Sequence, residues 1–372
     1  MTAPAGAAGT AGGAAPAPAA GTGRSARVVV VGAGVTGLLT AVECVLAGHR
    51  VTVLDRGAIP DPAATSHDQH RTLRTLAVGD AEATRRMGEA HRRWRELESV
   101  LGAGFYRQVG VVTAWPRGRL AEVARFAAGA GVPVGTVGPA ALPQLGFPAG
   151  TAGVRESRAG VLLAGRVLRA AARWLAARPA ATLRPHSTVI AVDPDTGKVT
   201  LAGGGVLGGD LVLVAAGPWT RELVDRPAVL HRQTLVYLRP GRRQARRWRG
   251  APAVGGLGAD GRAWVVPPVA GTLLKISSDA VCREAAATDA AAEDQTPWAE
   301  RLAGAGILRD PAGYELVAVT ACHYTTDTAA GGARLARLGP AVWARTACGG
   351  SGFASAPLVA ATMAEAAKEA AI

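Results

Sequence analysis

The sequence predicts an α/β fold in which a parallel sheet is assembled from distant segments and is joined to an α+β unit built on a mostly antiparallel sheet. A strand, a glycine turn, a helix and a second strand follow one another over residues 28–55. Solid apolar runs, typical of buried parallel strands, recur at 211–216 and 341–344. Between 226 and 320 the candidate strands alternate apolar and polar residues, which favours an antiparallel sheet. A chain of 372 residues is long enough for two domains.

The glycines of the first turn predict a dinucleotide site. Gly32 suits the tight turn, Gly34 lets the backbone approach a pyrophosphate, and Gly37 lets the helix pack close to the strand. The helix N-terminus leaves backbone N–H groups free and carries a partial positive charge, so we expect Val35 and Thr36 to bind the phosphates. A glycine turn without a ligand is the alternative.

An acidic residue follows the second strand. Asp55 lies where a carboxylate can accept hydrogen bonds from a ribose diol, and this disfavours a 2′-phosphate even though Arg56 comes next. We expect both residues to contact the nucleotide. The pattern alone does not distinguish NAD from FAD.

The remaining elements follow in chain order. Helical patterning over 80–100 places Met87, Trp94 and Leu97 on one side, and a second amphipathic helix is predicted at 162–177. We predict further strands at 187–193, 198–201, 205–207, 211–216, 233–238, 263–266, 272–277 and 341–344. A second glycine turn then leads into an alanine-rich helix that we expect to begin at Pro357.

Composition narrows the class of protein. The hydrophobic content of 49% is ordinary for a globular enzyme, and no apolar run approaches the ~18 residues needed to cross a bilayer. Residues 1–25 lack a basic start and a leucine-rich core, so we expect a disordered tail, a cytoplasmic protein and no membrane partner. The four cysteines and seven histidines show no metal-ligand spacing, so we expect neither a metal nor disulfides.

Arginine dominates the charge. The net charge is +13, and the densest arginine clusters lie at 85–95 and 242–249. We expect these clusters to be solvated faces. Nucleic acid is not an expected partner, because aromatic residues make up only 4% of the chain and do not interleave with the arginines. An acidic protein partner, such as a carrier protein, is the alternative.

Five segments occur in a fixed order along the chain. They are GAGVTG with Asp55, SHDQHRTLR at 66–74, LVLVAAGPWT at 211–220, LLKIS at 273–277, and TACHYTTD at 320–327 with CGGSGF at 348–353. Together they resemble the D-amino-acid oxidase superfamily of flavoproteins, and within it the monomeric sarcosine oxidase group. The resemblance covers most of residues 26–370 and implies FAD in a Rossmann-type domain. The further FAD-binding residues it implies are Ser66, His67, Val189, Ala216, Gly217, Trp219, Gly349, Gly350, Ser351, Gly352 and Phe353.

The order of the segments also predicts the domain organisation. We expect the FAD-binding domain to comprise residues 26–90, 155–225 and 320–372. The substrate domain would then comprise residues 91–154 and 226–319.

The resemblance implies covalent attachment of the cofactor. In the sarcosine oxidase group, a cysteine before x-Tyr-Thr is bonded to the 8α-methyl group of FAD. Cys322 is followed by His323, Tyr324 and Thr325 and fits that pattern. The alternative is a small buried thiol without such a bond.

Three basic residues match catalytic positions of the family. Lys275 matches a lysine that reaches flavin N5 through a water and stabilises superoxide as O2 is reduced; an ordinary surface lysine is the alternative. Arg71 and Arg74 are three residues apart and would point the same way on a helical turn. In the family one lies against the flavin and the other binds the substrate carboxylate. Exposed arginines in an arginine-rich chain are the alternative.

Two departures from the family pattern fall in the implied substrate pocket. The lysine that follows Gly-Phe in the family is Ala354 here, and a histidine four residues after the family's lysine is replaced by Asp279. The resemblance therefore implies the reaction class and leaves the substrate open. We expect FAD-dependent oxidation of a C–N bond in a bulky or modified amine or amino acid of specialised metabolism. Hydride would pass to flavin N5, an imine would form and O2 would become H2O2.

Three alternatives remain at this point. One is a flavin dehydrogenase that passes electrons to another acceptor. Another is an oxidase that acts on a carrier-bound aminoacyl group. The third is a non-catalytic flavoprotein that binds an acidic partner.

Overall fold

The computed structural model describes residues 24–288, 293–329 and 332–372. The predicted disordered tail therefore falls outside the described residues, apart from Arg24 and Ser25. The helices are α1 Val35–Leu46, α2 Ala81–Leu101, α3 Leu120–Gly129, α4 Ala164–Ala176, α5 Thr220–Leu223, α6 Arg242–Arg247, α7 Thr296–Gly304 and α8 Gly352–Ala370. Within the described ranges, none of these helices is long and apolar enough to cross a bilayer.

The strands occupy the chain between these helices, often several in succession. The first ten are β1 Arg27–Val31, β2 Arg50–Leu54, β3 Arg71–Leu73, β4 Tyr106–Arg107, β5 Val111–Pro116, β6 Val134–Val137, β7 Thr151–Glu156, β8 Gly160–Leu162, β9 Ala181–Arg184 and β10 Val189–Val192. The others are β11 Lys198–Leu201, β12 Val206–Gly208, β13 Leu211–Val214, β14 Ala228–Pro240, β15 Ala253–Leu257, β16 Ala263–Val266, β17 Leu274–Ser278, β18 Cys282–Glu284, β19 Tyr314–Asp327, β20 Ala333–Arg337 and β21 Val342–Cys348.

A six-stranded sheet has the order β20-β21-β13-β1-β2-β9. All its pairs are parallel except β20 with β21. Alternate residues of a strand face opposite sides of a sheet. Val28 and Val30 of β1 pack with the helices α1, α2, α4 and α8. Val29 and Val31 pack on the other face with Val199 of the three-stranded sheet β10-β11-β12. The prediction of a parallel sheet assembled from distant segments is confirmed.

The second large sheet has nine strands, in the order β18-β14-β17-β16-β15-β5-β7-β6 with β19 also paired to β14. Only the β15–β5 pair is parallel, so the prediction of a mostly antiparallel sheet is confirmed. Two pairs carry site residues. Cys322 of β19 lies opposite Gln233 of β14, and Lys275 of β17 lies opposite Tyr237.

Two predicted elements differ in the structure. Helix α8 begins at Gly352 rather than Pro357, so Pro357 lies inside the helix. A proline there removes one backbone hydrogen bond, but the burial of Phe353, Ala356 and Val359 around it keeps the helix continuous. The segment that contains Arg71 is strand β3, which pairs with β8, and not a helical turn.

Some of the proposed boundaries between the two domains fall inside helices or strands. The boundary between residues 90 and 91 falls inside α2, the boundary between 154 and 155 inside β7, and the boundary between 319 and 320 inside β19. The tryptophan of α2, Trp94, packs in the core beneath the parallel sheet. The two-domain division remains a proposal in which these three elements join the domains.

Candidate functional site

A cavity of about 1410 Å³ extends from the first glycine turn to the nine-stranded sheet. Sites for one small ligand are usually about 300–1,000 Å³, so this cavity has room for a cofactor and a substrate together. The sequence-predicted residues that line it are Gly32, Gly34, Val35, Thr36, Asp55, Arg56, Ser66, Arg71, Arg74, Val189, Ala216, Gly217, Trp219, Lys275, Cys322, Gly349, Gly350, Ser351, Gly352 and Phe353. Gly37 and His67 are not part of its lining.

The first glycine turn has no space for side chains. Gly32 has φ +103°, and a Cβ atom there would lie 2.5 Å from the backbone oxygen of Ala215. A Cβ on Gly37 would lie 1.9 Å from the backbone oxygen of Gly32. Gly37 therefore acts through packing of α1 on the turn, while the bare backbone of Gly32 and Gly34 faces the cavity. This close approach is what a pyrophosphate site requires, and the residues fit a dinucleotide.

Asp55 is held at the end of β2 by the backbone. Its Oδ2 accepts from Ala33 N at 2.7 Å and its Oδ1 accepts from Gly57 N at 2.9 Å. Each carboxylate oxygen retains a further acceptor site for a ribose hydroxyl. The neighbouring Arg56 lies over the ring of Trp219, 3.9 Å from its centroid, so two separately predicted residues lie against each other.

Lys275 of β17 is buried in the part of the cavity wall that the nine-stranded sheet provides. Only 1% of the residue is exposed, so the surface-lysine alternative is wrong. Its Nζ donates to Asp68 Oδ2 at 2.8 Å and to the backbone oxygen of His70 at 2.5 Å. Arg71 Nη1 lies 3.0 Å from the same Asp68 oxygen. Asp68 thus joins two of the predicted catalytic residues.

Asp68 is the site residue that sequence reasoning missed. Its signal was a carboxylate within the basic segment SHDQHRTLR. Burial favours its neutral form, but Lys275 and Arg71 outweigh burial and hold the pKa of Asp68 well below its usual range. Tyr237 also donates its hydroxyl to Asp68 Oδ1 at 2.8 Å. Burial lowers the pKa of Lys275, and the Asp68 carboxylate opposes that shift.

His70 is a neutral neighbour of this ion cluster. Burial, followed by repulsion from Lys275, lowers the pKa of His70 to about 3. Its Nε2 lies 3.1 Å from the backbone oxygen of Pro267. Because a carbonyl oxygen only accepts, Nε2 carries the proton.

Arg71 and Arg74 have different environments. Arg71 Nη2 donates to the backbone oxygen of Thr65 at 2.7 Å and lies 3.9 Å from Cys322 Sγ. Arg74 follows strand β3 and is exposed. No carboxylate of the described residues pairs with Arg74. The helical-turn interpretation was wrong, because pairing with β8 extends this segment, yet both side chains line the same cavity.

The two departures from the family pattern also line the cavity. Ala354 presents a methyl group, and its backbone oxygen accepts from Trp94 Nε1 at 2.9 Å. Asp279 is exposed, and its backbone oxygen accepts from Arg262 Nη2 at 3.1 Å. At this end the cavity has neither the lysine nor the histidine of the sarcosine oxidase pattern.

The fold and the sequence have known relatives. Human peroxisomal sarcosine oxidase is 25% identical over 205 residues, which cover 53% of this chain and 51% of that protein. The match to the mouse protein has the same extent. The chain thus spans about half the length of the curated relatives it matches.

Solved structures match over nearly the whole chain. A thermally stable mutant of fructosyl peptide oxidase has a TM-score of 0.77 at 18% identity, covering 94% of this chain and 91% of that one. Amadoriase I from Aspergillus fumigatus, a fructosyl amine:oxygen oxidoreductase, has a TM-score of 0.73 at 17% identity, covering 95% and 88%. NikD, an unusual amino acid oxidase essential for nikkomycin biosynthesis, has a TM-score of 0.74 at 21% identity, covering 92% and 94%. At these identities the likeness shows the fold.

A family model covers both sheets and the cavity between them. The model described as DAO, FAD dependent oxidoreductase, matches residues 27–366. This range includes the glycine turn, the Asp68 cluster, Cys322 and the second glycine turn. The chain therefore belongs to the DAO family of FAD-dependent oxidoreductases.

Proposed function

We propose that this protein is an FAD-dependent oxidase of a C–N bond in a bulky or modified amine or amino acid. The observation that carries the proposal is the single cavity that joins the glycine turn to Lys275, Arg71 and Cys322. When bound, FAD would accept a hydride equivalent from the carbon beside the amine and reduce O2 to H2O2, leaving an imine. The protein's part is to bind and orient the substrate and to set the charge around the flavin.

The cavity offers a separate group for each part of FAD. The backbone at Gly34 and Val35 would hold the pyrophosphate, and Asp55 would hold the ribose. Arg71, the turn at 349–353 and Cys322 would hold the isoalloxazine. Lys275 would supply a fixed positive charge on the side where O2 is reduced.

The residues at the substrate end of the cavity favour a ligand larger than sarcosine. A carboxylate held by both an arginine and a lysine loses a charge-assisted bond when alanine replaces the lysine, and such bonds contribute about 1.5–3 kcal/mol. Arg74 has no acid partner among the described residues and would bind the remaining acidic group. The fold is shared with proteins named for fructosyl peptides, fructosyl amines and amino acids, which supports an amine substrate of more than minimal size.

Covalent attachment can be tested directly. We expect acid-precipitated protein to stay yellow and its denatured gel band to fluoresce, because a thioether to Cys322 survives denaturation. Cys322→Ser should release the flavin into the supernatant. Cys348→Ser is the matched control, since Cys348 lines the same cavity and should not change attachment. A colourless pellet from the unaltered protein would refute the covalent bond.

The role of Lys275 can be tested by separating the two half-reactions. Lys275→Met should slow reoxidation by O2 about 10²–10³-fold, by analogy with the loss of a positioned donor to a developing oxyanion. Reduction by substrate without O2 should change far less. Lys198→Met, at an exposed position of β11, is the control. Equal slowing of both half-reactions would argue against the role, and a protein with no O2 reaction would favour the dehydrogenase alternative.

A carrier-bound aminoacyl substrate is the second candidate. It is favoured by helix α6 and Arg249, whose exposed arginines form no ion pair with the described residues. Carrier-loaded and free aminoacyl substrates should then differ in kcat/KM, and the difference should shrink as salt rises. If no amine reduces the flavin, the non-catalytic alternative remains. The cytoplasmic location stays a prediction.

A further inference from the structure

Arg345 occupies an unusual position in the cavity wall. It lies on β21, and its Nη2 donates to Ser355 Oγ at 3.2 Å. Its Nε is buried without an acceptor among the described residues. A guanidinium has five N–H donors, and Ser355 Oγ is the one acceptor that the described residues provide. No carboxylate of the described residues pairs with it.

The surroundings of Arg345 include a second arginine as well as the thiol of Cys348. Arg86 of α2 also lines the cavity and repels Arg345. Burial lowers the pKa of Arg345, Cys348 opposes that shift, and Arg86 adds a weaker lowering. Arg86 forms no ion pair with the described residues, whereas Arg85 pairs with Glu82 and Arg93 pairs with Glu89. Arg345 is half-buried, whereas Arg86 is exposed at the cavity rim. A partly buried guanidinium without an acid, such as that of Arg345, is costly unless an anion binds there.

One of these arginines, Arg345, contacts the residue next to Ala354, where the family has its lysine. Ser355 directly follows Ala354, while Arg74 precedes α2 and Arg86 lies in the second turn of that helix. All five residues line the same cavity. Loss of the lysine at 354 therefore does not leave this end without positive charge, because the charge is displaced toward Arg86 and Arg345.

We propose that Arg345 and Arg86 form an anion subsite for a carboxylate or phosphate group of the substrate, remote from the amine that is oxidised. The proposal rests on the proposed function and narrows it to amines that carry a second acidic group. Arg74 would bind the acidic group nearest to the amine. Planar guanidinium groups suit both carboxylate and phosphate, because they donate two parallel hydrogen bonds.

The first test compares matched amines with the holoenzyme. Glutamate and glutamine, aspartate and asparagine, and O-phosphoserine and serine are offered in both enantiomers and as N-methyl derivatives. We expect at least one acidic member to exceed its neutral partner in kcat/KM by about 10- to 100-fold, the usual effect of one charge-assisted interaction. Preference within the phosphoserine pair alone would assign the subsite to phosphate, and preference within the other pairs would assign it to carboxylate.

The variants test whether the two arginines cause that preference. Arg345→Met and Arg86→Gln should lower the acidic-to-neutral ratio about tenfold or more, mainly through KM, while the neutral amines are affected little. Arg345→Lys should restore part of the preference, because it keeps the charge and loses the planar fork. Arg85→Gln is the matched control on the same helix and should leave the ratio unchanged. A ratio that survives Arg345→Met and Arg86→Gln overturns the proposal.

A binding measurement separates this proposal from the proposed function. Glutarate, propionate and inorganic phosphate are titrated calorimetrically into the holoenzyme. Arg345→Met should weaken glutarate or phosphate binding about tenfold and leave propionate unchanged. If no amine is oxidised but this dependence holds, the subsite stands and the oxidase proposal fails. If acidic and neutral amines are oxidised with equal kcat/KM and the binding of no anion depends on Arg345, the oxidase proposal stands and the subsite proposal fails.

Discussion

Asp68 determines the charge state of the candidate site. One buried carboxylate contacts Lys275 at 2.8 Å and Arg71 at 3.0 Å, so two positive charges share a single negative one. A net positive charge therefore remains where O2 would be reduced. Without Asp68, burial and the charge of Arg71 would lower the pKa of Lys275 with only the weaker effect of Cys322 opposing them.

We expect Asp68→Asn to affect both stability and pH dependence. Removing one partner of a buried ion pair typically costs about 3–5 kcal/mol. The pKa of Lys275 should fall further, because the carboxylate that raises it is gone. The loss of O2 reactivity at alkaline pH should then begin at a lower pH than in the unaltered protein.

The measurements are urea unfolding and a pH profile of flavin reoxidation. Asp225→Asn, at an exposed position, is the control for the loss of one negative charge. An unchanged alkaline limit in Asp68→Asn, with the flavin still bound, would contradict the role of Asp68.

At the scale of elements, α1 depends on contacts from outside its own sequence. Its N-cap residue, Gly34, has no side chain that could accept a hydrogen bond from the backbone of the first turn. Ser66 Oγ, from a loop 31 residues away, accepts from Val35 N at 3.0 Å. The close packing of Gly37 on the turn fixes the start of the helix against β1. The helix N-terminus is therefore positioned by β1, the turn and the Ser66 loop together.

Gly37→Ala should displace this helix N-terminus. A Cβ atom 1.9 Å from the Gly32 oxygen cannot be accommodated without movement of the backbone. We expect lower FAD content and a lower melting temperature. Gly88→Ala is the control within α2, where nothing lies within 4 Å of the added Cβ, and there alanine should stabilise by about 0.5–1 kcal/mol. FAD retention in Gly37→Ala equal to that in the control would show that the close contact is unimportant.

Local sequence patterns predicted the elements that local interactions decide. The glycine turn, α1, α2 and the short parallel strands follow from periodicity and turn chemistry, and the structure has them at the predicted places. Strand β3 could not be predicted this way, because its conformation depends on pairing with β8, about 90 residues away in the chain. The start of α8 was misplaced because burial of its apolar face outweighs the effect of Pro357.

At the scale of the whole molecule, the candidate site is built where the two large sheets meet. The resemblance predicted four of its residues from three separate segments, which contain Lys275, the pair Arg71 and Arg74, and Cys322. The partners that give them their charge state come from other elements, so neither the Asp68 cluster nor the Arg345 contact to Ser355 follows from any one segment. Most of the residues that the motifs predicted line the cavity, but the motifs missed the pairings among them.

The burial of histidines makes the free energy of unfolding of the whole protein depend on pH. Burial lowers the pKa of His49, His70, His91 and His323 below the usual value. The unfolded chain therefore binds protons as the pH falls through about 6.5, while the native protein binds them only at lower pH. The free energy of unfolding should decrease on acidification from that pH, by up to about 1.4 kcal/mol per pH unit for each histidine. Asp68 extends the same trend below its unfolded pKa, because its native pKa is depressed.

His70 should contribute most clearly, since its native pKa is about 3. His70→Gln keeps an N–H donor for the Pro267 oxygen and removes the titration. Urea unfolding of the holoenzyme between pH 7.5 and 4.5 should then show a slope smaller by about one proton. His186→Asn removes an exposed histidine whose φ of +53° asparagine tolerates, and it should leave the slope unchanged. If His70→Gln keeps the full slope, or if the unaltered protein becomes more stable on acidification, the assignment of the acid sensitivity to His70 is wrong.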